Sequence, residues 1–167
     1  MTMPIGLKRK TGQRGSQAVE MAYVMLPLCA IIFLILDLSW AIFVKATLQQ
    51  AVREGVRYAV TGRTETGAGQ IDSIKHVVQR NAIGLLRDTP GTTTMSDRIH
   101  VRFYDPDTMN QLSGANSNSG GNLVEVSVEN YSLGPFGPIL RSAAPLVFLV
   151  RSSDRLEGSP GGSPPAL

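Results

Sequence analysis

The sequence predicts an α+β protein: a long amino-terminal helix that crosses a membrane and continues outward as an amphipathic helix, a second helix, and a small three-stranded antiparallel sheet. Three observations lead there. Ala22 to Val44 is a run of 23 residues with one acid, Asp37, and no basic side chain. Beyond Lys45, apolar residues recur at spacings of four and three, the period of a helix with one buried face. Residues 99–104 and 124–129 alternate apolar with polar, the period of a half-buried strand.

A length of 167 residues holds one compact domain and an appendage. The 43% hydrophobic content looks like a globular average, yet it is concentrated in the amino-terminal run. Charge is uneven too. The net charge is +3, but Lys8, Arg9, Lys10 and Arg14 precede the apolar run, and without these four the 16 basic residues fall to 12 against 13 acidic, a balance of −1. The remaining charges are mixed in sign and scattered, which argues against a nucleic-acid surface. The single cysteine, Cys29, sits within the apolar run and excludes an intrachain disulfide or a thiolate metal site.

At about 1.5 Å per residue, 23 helical residues span the roughly 30 Å hydrocarbon layer. A cleaved secretory signal would have a shorter apolar core and a small-residue cleavage site after it, so the span is expected to be retained. Basic residues precede the span and no comparable cluster follows it, which predicts residues 1–15 in the cytoplasm and the rest outside, in a single pass.

Ahead of the span stands Gly15-Ser16-Gln17-Ala18-Val19-Glu20, a glycine followed five residues later by a carboxylate at the mouth of an apolar helix. The pattern resembles a type IV prepilin processing site. By that resemblance a membrane peptidase cuts between Gly15 and Ser16 and leaves Glu20 as the fifth mature residue. Cleavage exposes an ammonium on Ser16, about 6 Å along a helix from Glu20. The amine of a neighbouring subunit is then able to pair with this acid. In a low-dielectric filament core the pair fixes axial register more than it adds stability, because desolvation offsets much of the Coulomb gain.

The run from Arg14 to Ala22, the step Leu26-Pro27-Leu28, and Ala51-Val52-Arg53-Glu54-Gly55-Val56-Arg57-Tyr58-Ala59 together resemble the opening of TadE-like proteins over residues 14–60. One departure is Met21, where an aromatic residue commonly follows the glutamate. The resemblance implies a pilin-like fold and a minor pseudopilin of a tight-adherence (Flp-type) pilus. Its implied partners are other pilin and pseudopilin subunits, a prepilin peptidase, an assembly ATPase, inner-membrane platform proteins and an outer-membrane secretin. It implies an inner-membrane location with a periplasmic head, possible incorporation in the pilus, and structural work rather than catalysis.

Within the span, Pro27 removes the backbone bond to the carbonyl of Tyr23 and predicts a local bend. Asp37 costs about 2.5–3.5 kcal/mol near a membrane centre, so it is expected to face a protein partner or the hydrated outer interface. Past Lys45 the buried stripe is Leu48, Val52, Val56, Ala59 and Val60, with Arg53, Glu54 and Arg57 elsewhere around the helix. Pro27, Asp37, Arg53, Glu54, Gly55, Arg57 and Tyr58 are the expected helix-packing positions.

Thr61-Gly62 ends this helix, and a connector runs to Gly69. A second helix is expected over Gln70–Leu86, closed by Thr89-Pro90-Gly91. A strand follows with Ile99, Val101 and Phe103 on one side and His100, Arg102 and Tyr104 on the other. Thr108–Asn122, rich in Ser, Asn and Gly, is expected to be a long exposed loop. The second strand turns Val124, Val126 and Val128 inward; after the turn at 134–138, Leu146–Val150 supplies the third. Four regions result: a basic leader over 1–15, the transmembrane and extended helix over 16–60, an α+β periplasmic head over 61–157, and a disordered tail over 158–167.

No constellation of catalytic residues stands out, and no cofactor or metal is expected. His76 and His100 are isolated, and the stretch Asp105 to Asn110 departs from a calcium loop at Met109 and Asn110. An alternative to the assembly subunit is a signal-anchored periplasmic binding or sensor module that keeps its leader and takes a ligand on the loop 105–122 or beside the sheet.

Overall fold

The computed structural model describes residues 13–87, 95–134, 145–158 and 162–167. Most of the basic leader, the closing turn Thr89-Pro90-Gly91 and the turn at 135–138 lie outside the described residues. The described residues divide into two compact units, one holding residues 13–38 and the other residues 39–134 with 145–167.

Helix α1 runs from Gln13 to Val60 without interruption at Pro27 and contributes to both units. In the first unit it presents large apolar side chains to the surroundings, among them Tyr23, Leu26, Ile31 and Leu36. In the second unit Ala41, Val44, Leu48, Ala51, Val52, Val56 and Ala59 are buried, as the helical spacing requires. Gly62, at φ 62°, ends α1 in the left-handed region and returns its N–H to the carbonyl of Ala59 at 3.0 Å.

Helix α2 spans Gln70–Asn81, with Asp72 in its first turn and Arg80 in its last, each sign complementing the helix dipole. It buries Ser73, Ile74, Val77 and Val78. The expected continuation to Leu86 fails because Ile83 and Gly84 adopt φ of 51° and 80°, which no right-handed helix accommodates. Ala82 and Leu86 remain in the core across this turn, while Ile83 points outward. A short 3₁₀ turn at Met95–Arg98 leads into the sheet.

The sheet has four strands, not the expected three: β1 Ile99–Tyr104, β2 Gln111–Leu112, β3 Leu123–Leu133 and β4 Leu146–Arg155, all antiparallel in the order β2-β1-β3-β4. β2 is two residues long, too short to show an alternation. A tight turn pairs it with β1: the Asp105 N–H donates to the Asn110 carbonyl at 3.0 Å, and Asp105 Oδ1 accepts the N–H groups of Asp107 and Thr108 at 2.9 and 3.0 Å. These bonds to the ionised form hold the Asp105 carboxyl below its ordinary range.

Val124, Val126 and Val128 do face the core, joined by Ile99, Phe103, Tyr131, Val150 and Leu156. Burial raises the Tyr131 hydroxyl above its usual pKa. A bulge between Val128 and Tyr131 shifts the β3–β4 register, with Asn130 at φ 55°.

The segment expected to be a long exposed loop is anchored as well as paired. Ser117 and Asn118 are buried. Asn118 Nδ2 donates to Gln70 Oε1 at 2.6 Å and to the Pro165 carbonyl at 2.7 Å, and Gln70 Nε2 donates to the Ala59 carbonyl at 3.4 Å. The Gln70 N–H donates to the Ala166 carbonyl at 2.8 Å. Where a flexible tail was expected, Pro165 and Ala166 therefore take up polar groups from the loop before β3 and from the start of α2. The Leu167 backbone occupies the space a side chain on Gly69 would need.

Candidate functional site: the amino-terminal helix

The expected functional residues all lie on α1. Gly15, Ser16 and Glu20 fall in its first turns, with Glu20 exposed. Pro27 is exposed within the apolar half, and Asp37 is half-buried. The stretch Gln17–Val60 contains a helix long and apolar enough to cross a membrane. Near the carboxyl-terminal end of the apolar run, Trp40 and Phe43 stack with ring centroids 5.5 Å apart and planes 25° apart. Of the two, Trp40 has the amphipathic kind of ring that collects at membrane–water boundaries.

Residues 53–58 do different jobs. Arg53 and Arg57, one helical turn apart, are both exposed. They line a groove with Ser152, Asp154 and Glu157. Glu54 accepts a hydrogen bond from Gln50 Nε2 at 3.2 Å, and the Tyr58 carbonyl accepts one from Thr61 Oγ1 at 2.8 Å. Gly55 is buried, and a Cβ placed on it would stand 2.5 Å from Val78 Cγ2 and 3.7 Å from both Ile74 Cγ2 and Val126 Cγ1. Only a residue without a side chain lets α1 approach α2 and β3 this closely. The Arg-Glu-Gly-Val-Arg-Tyr stretch thus sets the buried Gly55 and Val56, with Tyr58 packed against the core, between the exposed Arg53 and Arg57.

Residues 15–57 match the family model of TadE-like proteins. This segment is TadE-like. The match begins at Gly15, takes in Glu20, Pro27, Asp37 and the apolar run, and ends at Arg57. In the TadE-like segment the structure thus brings Gly55 into the core while leaving Glu20 and Pro27 exposed. No curated protein and no solved structure matches the chain.

Two arrangements outside the TadE-like segment were not foreseen. One is the amide junction of Gln70 and Asn118, whose partners are far apart in sequence and leave no local pattern. The other is a charged network on the solvent side of the sheet. Arg102 Nη1 lies 2.6 Å from Glu129 Oε1, 3.6 Å from Glu125 Oε1 and 3.3 Å from Ser127 Oγ. His100 Nε2 approaches Glu129 Oε2 at 3.8 Å. The hydrogen bond from Arg102 holds the Glu129 carboxyl below its ordinary pKa and raises that of the guanidinium. Strand alternation was the signal available, since it puts Arg102, Glu125 and Ser127 on the polar face. Glu65 similarly meets His76 at 3.0 Å and Arg80 at 3.7 Å on α2. Among the described residues, no three His, Cys, Asp or Glu side chains gather as metal ligands.

Proposed function

We propose that the chain is a minor pseudopilin, a structural subunit of a Tad (Flp-type) pilus or secretion assembly, processed by a prepilin peptidase between Gly15 and Ser16. The observation that carries this reading is the TadE-like match, which starts at Gly15 and includes Glu20 at the mouth of an apolar helix of spanning length. In this reading Lys8, Arg9, Lys10 and Arg14 keep the leader cytoplasmic, the span sits in the bacterial inner membrane and the head faces the periplasm. The partners are other pilin subunits, the peptidase, the platform proteins and the assembly ATPase. The chain is the peptidase's substrate and carries out no reaction of its own.

Glu20 has a specific task in this scheme. After cleavage, the Ser16 ammonium of one subunit meets the Glu20 carboxylate of the next, and the pair sets how far each helix advances along the filament.

Mass spectrometry of protein purified from its native envelope tests the processing step: the expected mature chain begins at Ser16, and an intact leader would favour a signal-anchored binding or sensor module. Glu20→Ala should be cleaved normally but fail to assemble. Normal assembly of that variant would refute the register role.

A further inference from the structure

β4 is an edge strand of the sheet, and its two halves differ in chemistry. The half from Arg151 to Arg155 carries Arg151, Asp154 and Arg155, whereas the half from Leu146 to Leu149 is wholly apolar. In that half Leu146 is 54% exposed, Val147 61% and Leu149 60%. Successive strand residues point to opposite faces, so Val147 and Leu149 open on one side and Leu146 on the other, while Phe148 packs against the core. A partner covering one sheet face would leave the other side wet. A medium that surrounds the tip would not.

The second unit itself shows where the tip lies along α1. The Glu157 N–H donates to the Val60 carbonyl at 3.3 Å, and Ser152, Ser153 and Asp154 line one groove with Arg53, Val56 and Arg57. Strand and helix therefore run in the same direction. Stepping back from Ser152 to Leu149 and Leu146 covers roughly 10–20 Å at about 3.3 Å per residue. The same distance back from Arg53 along the helix, at about 1.5 Å per residue, reaches roughly residues 40–46. That level holds the stacked Trp40 and Phe43 and, just beyond them, Lys45.

From this we infer that the tip of β4, Leu146, Val147 and Leu149, is a second membrane contact and is seated in the interfacial layer of the bilayer that α1 crosses. The inference rests on the reading of α1 as a membrane span. The occupant is the lipid surface itself: acyl-chain and glycerol regions around the apolar tip, with headgroup phosphates beside Lys45 and Arg151, whose long side chains extend from the apolar zone to the polar one. Edge pairing with a second copy is disfavoured by the charges along the remainder of β4, which is how exposed edges are kept from adding strands.

The test uses the full chain in liposomes of phosphatidylethanolamine and phosphatidylglycerol containing nitroxide-labelled lipids. On a Cys29→Ser background, single cysteines are introduced by Leu34→Cys, Phe43→Cys, Leu149→Cys or Ser153→Cys and labelled with an environment-sensitive fluorophore. All four positions are exposed, so the fold should persist. The expected result is that position 149 is blue-shifted and quenched by shallow nitroxides to the level of position 43. Position 153, on the same strand, should behave as in water, and position 34 should be quenched by deep nitroxides. Quenching at 34 together with water-like emission at 149 would overturn the tip contact while leaving the span intact. A blue shift at 149 without lipid quenching, growing with the protein-to-lipid ratio, would overturn it in favour of contact between copies. Loss of quenching at 34 and 149 alike would overturn the membrane reading and the tip contact with it.

Discussion

At Gly55 a methyl group would have to fit 2.5 Å from Val78 Cγ2, and Val78 is itself fully buried, so relief requires α1 and α2 to move apart. Overpacking of this kind costs about 1–3 kcal/mol. Gly55→Ala should lower the thermal midpoint of the full chain in detergent, followed by circular dichroism, and an unchanged midpoint would mean the helices part freely. Ile83 presents the opposite case. Its φ of 51° places a β-branched residue in the left-handed region while its side chain is 74% exposed. Ile83→Asn relieves about 1 kcal/mol of backbone strain without removing a buried contact, so it should raise the same midpoint. A fall would show that the Ile83 side chain makes a contact worth more than the strain.

For single elements, legibility in the sequence followed the range of the forces involved. The burial of α1 beyond Lys45 and the inward faces of β1 and β3 come from periodicities of a few residues, and Leu48, Val52, Val124 and Val126 were read from spacing alone. β2 escaped because two residues show no period and its pairing depends on the Asp105 turn. The end of α2 was overrun because Ala82, Leu85 and Leu86 continue a plausible apolar pattern, while the reversal depends on Ile83 taking a conformation its side chain disfavours. Of the candidate site, Gly55 was identified as a packing position, but the neighbour that makes it necessary, Val78, was not visible.

The polar face of the sheet makes its own prediction. Arg102 holds Glu129 ionised below the usual carboxylate range, so the pair's contribution to stability is present above the unfolded-state pKa and is lost as pH falls through the lowered folded-state value. The side chains are 28% and 27% exposed, and screening by water limits the effect to within about 1 kcal/mol. Thermal midpoints measured from pH about 6 down to about 3 should fall for the natural chain and fall less for Glu129→Gln. Equal slopes would remove Glu129 as a source of the acid sensitivity.

For the molecule as a whole, the TadE-like segment and the remainder differ in what they disclose. Residues 15–57 carry a recognisable order of glycine, acid, apolar run and Arg-Glu-Gly motif, a pattern that is local in the sequence. The residues after them form a sheet and two amide contacts whose logic is spatial, and they match no solved structure. Composition indicated a tail with too little to bury, and on composition alone that inference is sound. What it omits is that backbone carbonyls at Pro165 and Ala166 serve as acceptors for groups elsewhere.

The Gln70 side chain links the Ala59 carbonyl to Asn118, and Asn118 in turn reaches Pro165. These links span 48 and 47 positions, so the clasp belongs to the slow class of contacts whose loops must close before they reward closure. During biosynthesis α1 and α2 are able to coil as soon as they emerge, yet the joint between them stays hydrated until the ribosome has released residues nearly a hundred codons later. The joint is thus completed only once Pro165 has emerged, late in the synthesis of the head.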